Sequence, residues 1–179
     1  LQNSFLLFSS YLFYGWWDWR FLTLILASSV LDYVIGLRLV QTEKSSAKKR
    51  WLAISLVFNL GLLGFFKYYN FFIDNFVEAF SILGSSFSAN RLNIVLPVGI
   101  SFYTFQTLSY SIDVYRGKLK PSKDFIAFSA FVSFFPQLVA GPIERASNLL
   151  PQFQRKRSFD YAKSVDGCRQ ILWGLFKKV

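Results

Sequence analysis

Residues 125–153 read FIAFSAFVSFFPQLVAGPIERASNLLPQF, and this stretch decides the fold. Its apolar part is about 16 residues long, whereas a helix that crosses a bilayer needs about 20. Basic residues precede and follow it: Arg116, Lys118, Lys120 and Lys123 on one side, Arg145, Arg155, Lys156 and Arg157 on the other. Because basic segments favour the cytoplasmic side of a membrane, we expect this stretch to enter the bilayer and return on the side it left.

Helix breakers and polar residues interrupt the same stretch. The breakers, at which a helix ends or kinks, are Pro136, Gly141 and Pro142. The polar residues are Gln137, Glu144 and Arg145. Irregular backbone and charge at membrane depth are tolerated only inside protein or beside a water-filled cavity. The sequence therefore predicts a re-entrant or broken helical segment that lines a functional site, and a buried, proline-kinked helix is the alternative.

The composition is that of an integral membrane protein. Hydrophobic residues make up 53% of the chain and aromatic residues 20%, and the mean hydropathy is +0.35, which exceeds what a soluble domain usually carries. The 20 Lys and Arg residues, against 10 Asp and Glu, fall mostly in short segments between apolar runs, as expected for cytoplasmic loops. The sequence offers no long basic surface that could bind the phosphate backbone of a nucleic acid, which argues against a nucleic-acid partner.

Residue counts exclude several kinds of site. The single cysteine, Cys168, has no partner for a disulfide or a cysteine metal site. The absence of histidine removes the commonest metal ligand and the usual general base, so no metal site is expected. No Gly-rich phosphate loop or nucleophile elbow occurs. The chain also lacks methionine and stops within an apolar and basic pattern, LWGLFKKV, so we expect it to be a segment of a longer polytopic protein.

Long apolar runs predict three membrane-spanning helices. They are Phe21 to Leu39, Trp51 to about Tyr69, and Ile94 to Ile112. Lysine and arginine within residues 44–50 place the first connection in the cytoplasm. Asn70 to Asn93 is predicted to be external, with a helix that lies along the interface or is tucked into the protein. The expected fold is an all-α, polytopic transmembrane helix bundle that forms one membrane domain over residues 1–179.

Shorter signals predict the remaining parts of the chain. Residues 5–14 are too short to span a membrane alone. The cluster GWWDWR at 15–20 marks a point where the chain leaves lipid, because tryptophan favours the headgroup zone. Asp32, inside the first predicted span, is expected to face protein or water. Residues 155–158 are predicted to form a solvent-exposed cytoplasmic loop. A helix with both apolar and charged residues is predicted to follow, from near Asp166 to Val179.

Four polar residues of the third predicted span share one helical face: Tyr103, Gln106, Tyr110 and Asp113. We expect them to point into a bundle or cavity rather than at lipid. Hydrogen bonds between helices are the alternative explanation. The acidic residues Asp32, Asp113 and Glu144 lie in different segments, and no spacing brings two of them together. The residues alone therefore indicate a polytopic protein with a polar intramembrane cavity.

Two long motifs resemble a known family. LPVGISFYTFQTLSYSIDVYRG, at Leu96 to Gly117, and FVSFFPQLVAGPIERASNLLPQF, at Phe131 to Phe153, are similar to membrane-bound O-acyltransferases of the alginate O-acetyltransferase branch. FYGWWDWRF and LDYVIGLRL resemble the N-terminal part of that branch, so the resemblance covers nearly the whole chain. A more distant resemblance is to the D-alanyl transferases of teichoic acid modification. The resemblance implies an N-terminal segment of a many-helix bundle around a funnel through the membrane.

The resemblance also implies an activity and its setting. An acyl group from a cytoplasmic donor such as acetyl-CoA is handed to an exported polysaccharide such as alginate, with partner proteins in the periplasm and no bound cofactor. The protein is then a multi-pass protein of a bacterial inner membrane. A transporter or export channel, which also needs a broken helix and a polar helix face, is one alternative. A non-catalytic scaffold of a polysaccharide-synthesis complex is another.

The predicted site combines the resemblance with the polar residues. The essential histidine of the family lies downstream of the second motif, beyond Val179, so no catalytic residue is expected within the chain. The predicted substrate-binding residues are Gln137, Gly141, Glu144 and Arg145, followed by Gln106, Tyr103 and Asp113. Arg145 is expected to hold a phosphate-bearing or thioester-linked donor, and an ion pair with Glu144 or a headgroup contact is the alternative.

Overall fold

The computed structural model describes residues 1–82 and 95–178, and these residues form helices and connecting turns, with no strand among them. In chain order the helices are α1 (Gln2–Gln41), α2 (Ser45–Ile82), α3 (Ile100–Tyr115), α4 (Phe125–Val132), α5 (Phe135–Ala140), α6 (Ala146–Gln154) and α7 (Tyr161–Lys178). The predicted all-α class is confirmed. Among the described residues, α1 (Gln2–Gln41) and the Ser45–Val77 part of α2 are long and apolar enough to cross a membrane.

Helix α1 is broken at Asp18, which has extended dihedral angles of φ −159° and ψ 111°. The Asp18 carboxylate accepts hydrogen bonds from the backbone N–H of Arg20, at 2.9 Å, and from its guanidinium, at 2.8 Å. The neighbouring tryptophans, Trp16, Trp17 and Trp19, are exposed. The break therefore falls within the GWWDWR cluster that marked a point of exit from lipid.

The two halves of α1 run in opposite directions. An unbroken helix of this length would extend about 60 Å. Gln2, however, lines a cavity together with Asp124 and Gln154, and Val40 lines an adjoining cavity with the same two residues. Both ends of α1 therefore lie at one end of the bundle, called the basic end below, and the tryptophans around Asp18 lie at the opposite, tryptophan end.

Helix α2 is longer than predicted. The prediction that this helix closes near Tyr69 is wrong, because it continues to Ile82. Residues 67–82 contain no glycine or proline, and their apolar residues recur at helical spacing, so nothing local ends the helix. Residues 83–94, which complete the predicted external segment, lie outside the described residues.

Helix α3 is shorter than the third predicted span. It begins at Ile100, directly after Gly99, which has a positive φ of 73°. Its 16 residues extend about 24 Å, less than the roughly 30 Å of a hydrocarbon core. The late helix start expected from Pro97 and Gly99 is confirmed, and the helix is shorter than the predicted span from Ile94 to Ile112, whose first residue lies outside the described residues.

The core lies where α4 packs between α1 and α3. Phe128 and Phe131 are fully buried, and the Phe128 ring centroid lies 4.6 Å from that of Tyr110. A Cβ on Gly36 would overlap the Tyr110 ring and hydroxyl, so α1 and α3 approach closely only because Gly36 has no side chain. Between membrane helices such close packing, rather than the hydrophobic effect, supplies the stabilisation.

The last helix makes little contact with this core. No residue of α7 is buried. Its ring contacts are internal: Trp173 stacks on Phe176 at 5.7 Å, and the Lys177 ammonium lies 5.2 Å from the Trp173 centroid. The predicted helix from Asp166 is confirmed but begins earlier, at Tyr161, and Val179 lies outside the described residues.

Candidate functional site

The re-entrant segment, residues 125–154, begins at a capped helix N-terminus. Oδ1 of Asp124 accepts hydrogen bonds from the backbone N–H groups of Ile126, at 2.9 Å, and Ala127, at 3.1 Å. These bonds satisfy two of the donors that a helix leaves free at its start. Every residue of α4 from Ala127 to Val132 is buried. Protein therefore encloses this helix from Ala127 onward, whereas its first two residues, Phe125 and Ile126, are exposed.

The segment reaches the tryptophan end. Phe135 and Val139 line an apolar cavity of about 540 Å³ together with Trp16, Trp17 and Val98. The Phe135 ring stacks on Phe13 with centroids 5.1 Å apart. The segment therefore traverses the full depth of α3 before it turns back.

A close approach at Gly99 fixes the turning point. An ideal Cβ on Gly99 would lie 2.7 Å from the Tyr14 hydroxyl and 3.3 Å from the carbonyl oxygen of Leu138. Only glycine fits this position, because φ is positive and the space is filled. The tip of the re-entrant segment is thereby seated on the first turn of α3.

Gln137 and Gly141, both predicted site residues, build the turn itself. The backbone N–H of Gly141 donates to the carbonyl of Gln137 at 2.8 Å, and Nε2 of Gln137 donates to the carbonyl of Pro142 at 3.0 Å. A Cβ on Gly141 would stand 2.8 Å from Cα of Gln137, so a larger residue does not fit. Oε1 of Gln137 is buried and has no hydrogen-bond partner among the described residues.

Glu144 and Arg145 follow in the loop that leads to α6. Oγ of Ser109 accepts a hydrogen bond of 3.2 Å from the backbone N–H of Ala146, which fixes the end of this loop beside α3. Ser109 lies about 9 Å along the helix axis from the end of α3 at Tyr115. The loop therefore lies beside the middle of α3, away from the basic end, with Pro142, Ile143 and Arg145 exposed.

The charges of this loop are unpaired. Glu144 is half-buried and Arg145 is exposed, and neither forms an ion pair within the described part of the chain. The alternative in which Arg145 pairs with Glu144 is thus not seen. A charge at this depth is costly in lipid, so both side chains must face protein or water.

The remaining predicted site residues, Tyr103, Gln106 and Asp113, lie in two different parts of α3. Tyr103 and Gln106 are each 1% exposed, and the Tyr103 hydroxyl and both amide atoms of Gln106 have no hydrogen-bond partner among the described residues. Asp113 is half-buried at the other end of α3. Its carbonyl accepts from the backbone N–H groups of Lys118, at 2.9 Å, and Leu119, at 3.2 Å. Asp113 therefore belongs to the turn at the basic end.

The segment returns to the end from which it started. Asp124, before α4, and Gln154, at the end of α6, line the same two cavities, of about 660 and 450 Å³. The basic side chains around these cavities are Lys120, Lys123, Arg155 and Lys156. The prediction that this stretch enters and returns, rather than crosses, agrees with this placement.

Sequence reasoning missed the partners of Asp32. They are Ser55 and Asn59 on α2 and Ser111 on α3. The expectation that Asp32 faces protein is confirmed, since it is fully buried. Serine and asparagine four residues apart in an apolar helix place polar groups on one face, and this signal in α2 pointed to a partner in a neighbouring helix.

The chain is similar along nearly its whole length to bacterial O-acetylation proteins. It is 42% identical over 179 residues to a probable alginate O-acetylase of Pseudomonas aeruginosa, a match that covers 99% of this chain and 34% of that protein. The corresponding protein of Azotobacter vinelandii is 41% identical, with 99% and 36% covered. A peptidoglycan O-acetyltransferase of Helicobacter pylori is 36% identical over 200 residues, with 97% and 37% covered.

These matches confirm the resemblance to the alginate O-acetyltransferase branch. The chain spans about a third of the length of the curated relatives that it matches. No protein-family profile matches the chain. No solved structure matches it either.

Proposed function

We propose that this chain, homologous over nearly its whole length to alginate O-acetylases, is part of a membrane O-acetyltransferase that modifies an exported polysaccharide. One observation carries the proposal: the loop beside Ser109 of α3 carries Glu144, which is half-buried, and Arg145, which is exposed, and neither forms an ion pair within the described residues. Such residues mark substrate pathways in membrane proteins. The names of the relatives supply the reaction class.

The acyl donor approaches from the basic end. Two adjoining cavities there carry lysine and arginine side chains, which attract an anionic donor such as acetyl-CoA. The positive-inside bias puts this end in the cytoplasm. The protein is accordingly a multi-pass protein of a bacterial inner membrane.

The residues of the re-entrant turn position the donor. Arg145 binds its anionic part, and Gln137, Gly141 and Glu144 form the wall beside it. Gln106 and Tyr103 offer buried polar groups further along the pathway, and Asp113 lies near its entrance. In the transfer the hydroxyl oxygen of the acceptor bonds to the acetyl carbonyl carbon, the bond to the leaving group breaks, and the hydroxyl proton ends on that leaving group.

The acceptor side lies at the tryptophan end, in the periplasm. The acceptor is a polysaccharide hydroxyl, as in alginate or peptidoglycan, reached directly or through periplasmic acetylation proteins. No residue of this chain is assigned as nucleophile or base, and a histidine of the longer protein is proposed for proton transfer.

Substitution of Arg145 tests the proposal in the intact protein. Arg145→Ala should lower acetyl transfer from radiolabelled acetyl-CoA in membrane vesicles by about 10- to 100-fold, since hydrogen bonds to charged groups contribute roughly 1.5–3 kcal/mol. Protein level should stay unchanged, and Arg145→Lys should keep part of the activity. Arg50→Ala, an exposed change near the start of α2, is the matched control.

Three outcomes would count against the proposal. Equal loss of activity and protein level assigns Arg145 to folding. Unchanged transfer removes Arg145 from the pathway. Absence of any acetyl transfer by the unsubstituted protein overturns the reaction class itself.

A further inference from the structure

A fully buried carboxylate joins three helices at the centre of the bundle. Oδ1 of Asp32 accepts hydrogen bonds from Oγ of Ser55 and, at 2.8 Å, from Oγ of Ser111. Oδ2 accepts from Nδ2 of Asn59 at 2.7 Å. The hydroxyl of Thr107 lies within donating distance of Oδ1 of Asn59, at 3.3 Å, and of the carbonyl of Thr104, at 3.1 Å. The Asp32 node, as it is called below, consists of Asp32, Ser55, Asn59, Thr107 and Ser111.

The position of the node makes its charge costly. Asp32 lies about 21 Å along the helix from the break at Asp18 and about 14 Å from the end of α1 at Gln41, close to mid-membrane depth. A carboxylate at this depth must be paired, bind a cation or lose its charge. No basic side chain in the described ranges, 1–82 and 95–178, forms an ion pair with it. Asp32 is 0% exposed, so α1, α2 and α3 already enclose it.

The node is rich in oxygen atoms that bind hard cations. It brings together both carboxylate oxygens of Asp32, the amide oxygen of Asn59 and three hydroxyl oxygens. Hard cations prefer carboxylate, amide and hydroxyl oxygens over nitrogen or sulfur. One carboxylate balances one positive charge, and a divalent ion would leave a net charge buried in the membrane. The charge balance therefore favours a monovalent cation.

Two further hydroxyls support a ligand between these helices. Ser28 Oγ and Thr104 Oγ1 are buried and have no hydrogen-bond partner among the described residues. Ser28 lies one turn before Asp32, and Thr104 one turn before Thr107, so each belongs to a helix face that contributes to the node. Buried hydroxyls normally have a partner. Ser28 and Thr104 therefore offer two further oxygen atoms on the helix faces that carry the node.

We propose that the Asp32 node is a binding site for a sodium ion, which neutralises the carboxylate and fastens α1, α2 and α3 together. Each hydroxyl oxygen has two lone pairs, and rotation about its C–O bond turns one of them toward the ion when the hydrogen bond to Asp32 or Asn59 is given up. An ion that binds only the folded bundle stabilises it in proportion to the logarithm of its concentration. This site is separate from the re-entrant loop, so its test is independent of acetyl transfer.

The test uses the intact protein in detergent. We expect its unfolding temperature to rise with sodium chloride but not with equal concentrations of choline chloride, and equilibrium binding of radioactive sodium to saturate. Asp32→Asn should abolish both effects. Thr107→Val, which removes one oxygen and keeps the charge, should weaken sodium binding about tenfold. Ser10→Ala removes a buried hydroxyl outside the node and should leave the sodium response unchanged.

Several results would overturn the proposal. An identical unfolding temperature in sodium and choline, without saturable sodium binding, shows that the hydrogen bonds of the node accommodate Asp32 without a sodium ion. An unchanged sodium response in Asp32→Asn places any sodium site elsewhere. If Asp32→Asn fails to fold, an unchanged response in both Thr107→Val and Ser111→Ala contradicts the site.

Discussion

Nη2 of Arg157 donates a hydrogen bond of 2.6 Å to Oδ1 of Asn3, although 154 residues separate the two in the chain. Nδ2 of Asn3 in turn donates to the carbonyl of Phe153 at 2.7 Å. The side chain of Gln2 donates to the Arg157 carbonyl at 2.7 Å and accepts from its N–H at 3.1 Å. The first turn of α1 is thereby fastened to the end of the re-entrant segment.

Loss of these hydrogen bonds between α1 and residues 153–157 should destabilise the bundle. We expect Asn3→Ala and Arg157→Ala each to lower the free energy of unfolding by about 1–3 kcal/mol, because each removes a charge-assisted hydrogen bond. The double variant should lose less than the sum of the two, since both changes break the same bond. Equilibrium unfolding in detergent measures all three.

Arg155→Ala is the matched control for the double-mutant cycle of Asn3 and Arg157. Its side chain is exposed and forms no hydrogen bond or ion pair within the described part of the chain. A change within about 0.5 kcal/mol is expected. Strictly additive losses for Asn3 and Arg157 would show that the bond does not contribute.

Gly99→Ala should be strongly unfavourable. The residue has a φ of 73°, and a Cβ would stand 2.7 Å from the Tyr14 hydroxyl. We expect a loss of about 1–3 kcal/mol in the free energy of unfolding. Gly61→Ala, a helical position with nothing within 4 Å of the new Cβ, should instead stabilise by about 0.5–1 kcal/mol. Similar effects of the two changes would contradict the close approach at Gly99.

Sequence alone predicts the re-entrant segment because its signals are local. The length of the apolar run, its helix breakers and the basic residues on both sides all lie within about 40 residues, and each has a direct physical meaning. The position of Gln137 and Gly141 at the helix break follows from the same local signals, whereas their role in binding stays a prediction. The contacts that this break makes, such as the packing of Leu138 against Gly99, involve residues that are distant in the chain.

No local signal specifies the reversal of α1 or the residues that meet at the Asp32 node. A single extended residue, Asp18, turns the chain without glycine or proline next to it. The partners of Asp32 come from two other helices, between 23 and 79 residues away. Periodicity shows which face of a helix is polar, but it does not show which helix that face will meet.

Ser109→Ala should loosen the loop that carries Arg145. The change removes the acceptor for the backbone N–H of Ala146 and leaves that group unsatisfied at a cost of about 1–3 kcal/mol. We expect a higher KM for the acyl donor with a smaller change in kcat, since Ser109 positions the loop and does not touch the reacting atoms. Ser109→Thr keeps the hydroxyl and should restore the KM. An unchanged KM in Ser109→Ala would remove Ser109 from this role.

Cysteine accessibility tests the return of the re-entrant segment most directly. Cys168 and any further cysteine of the intact protein are first replaced by serine, and single cysteines then replace Lys123, Lys156 or Trp17. A membrane-impermeant maleimide is added to intact cells and to inside-out vesicles. We expect positions 123 and 156 to react only in inside-out vesicles and position 17 to react only in intact cells. Labelling of positions 123 and 156 from opposite sides of the membrane would contradict the re-entrant fold.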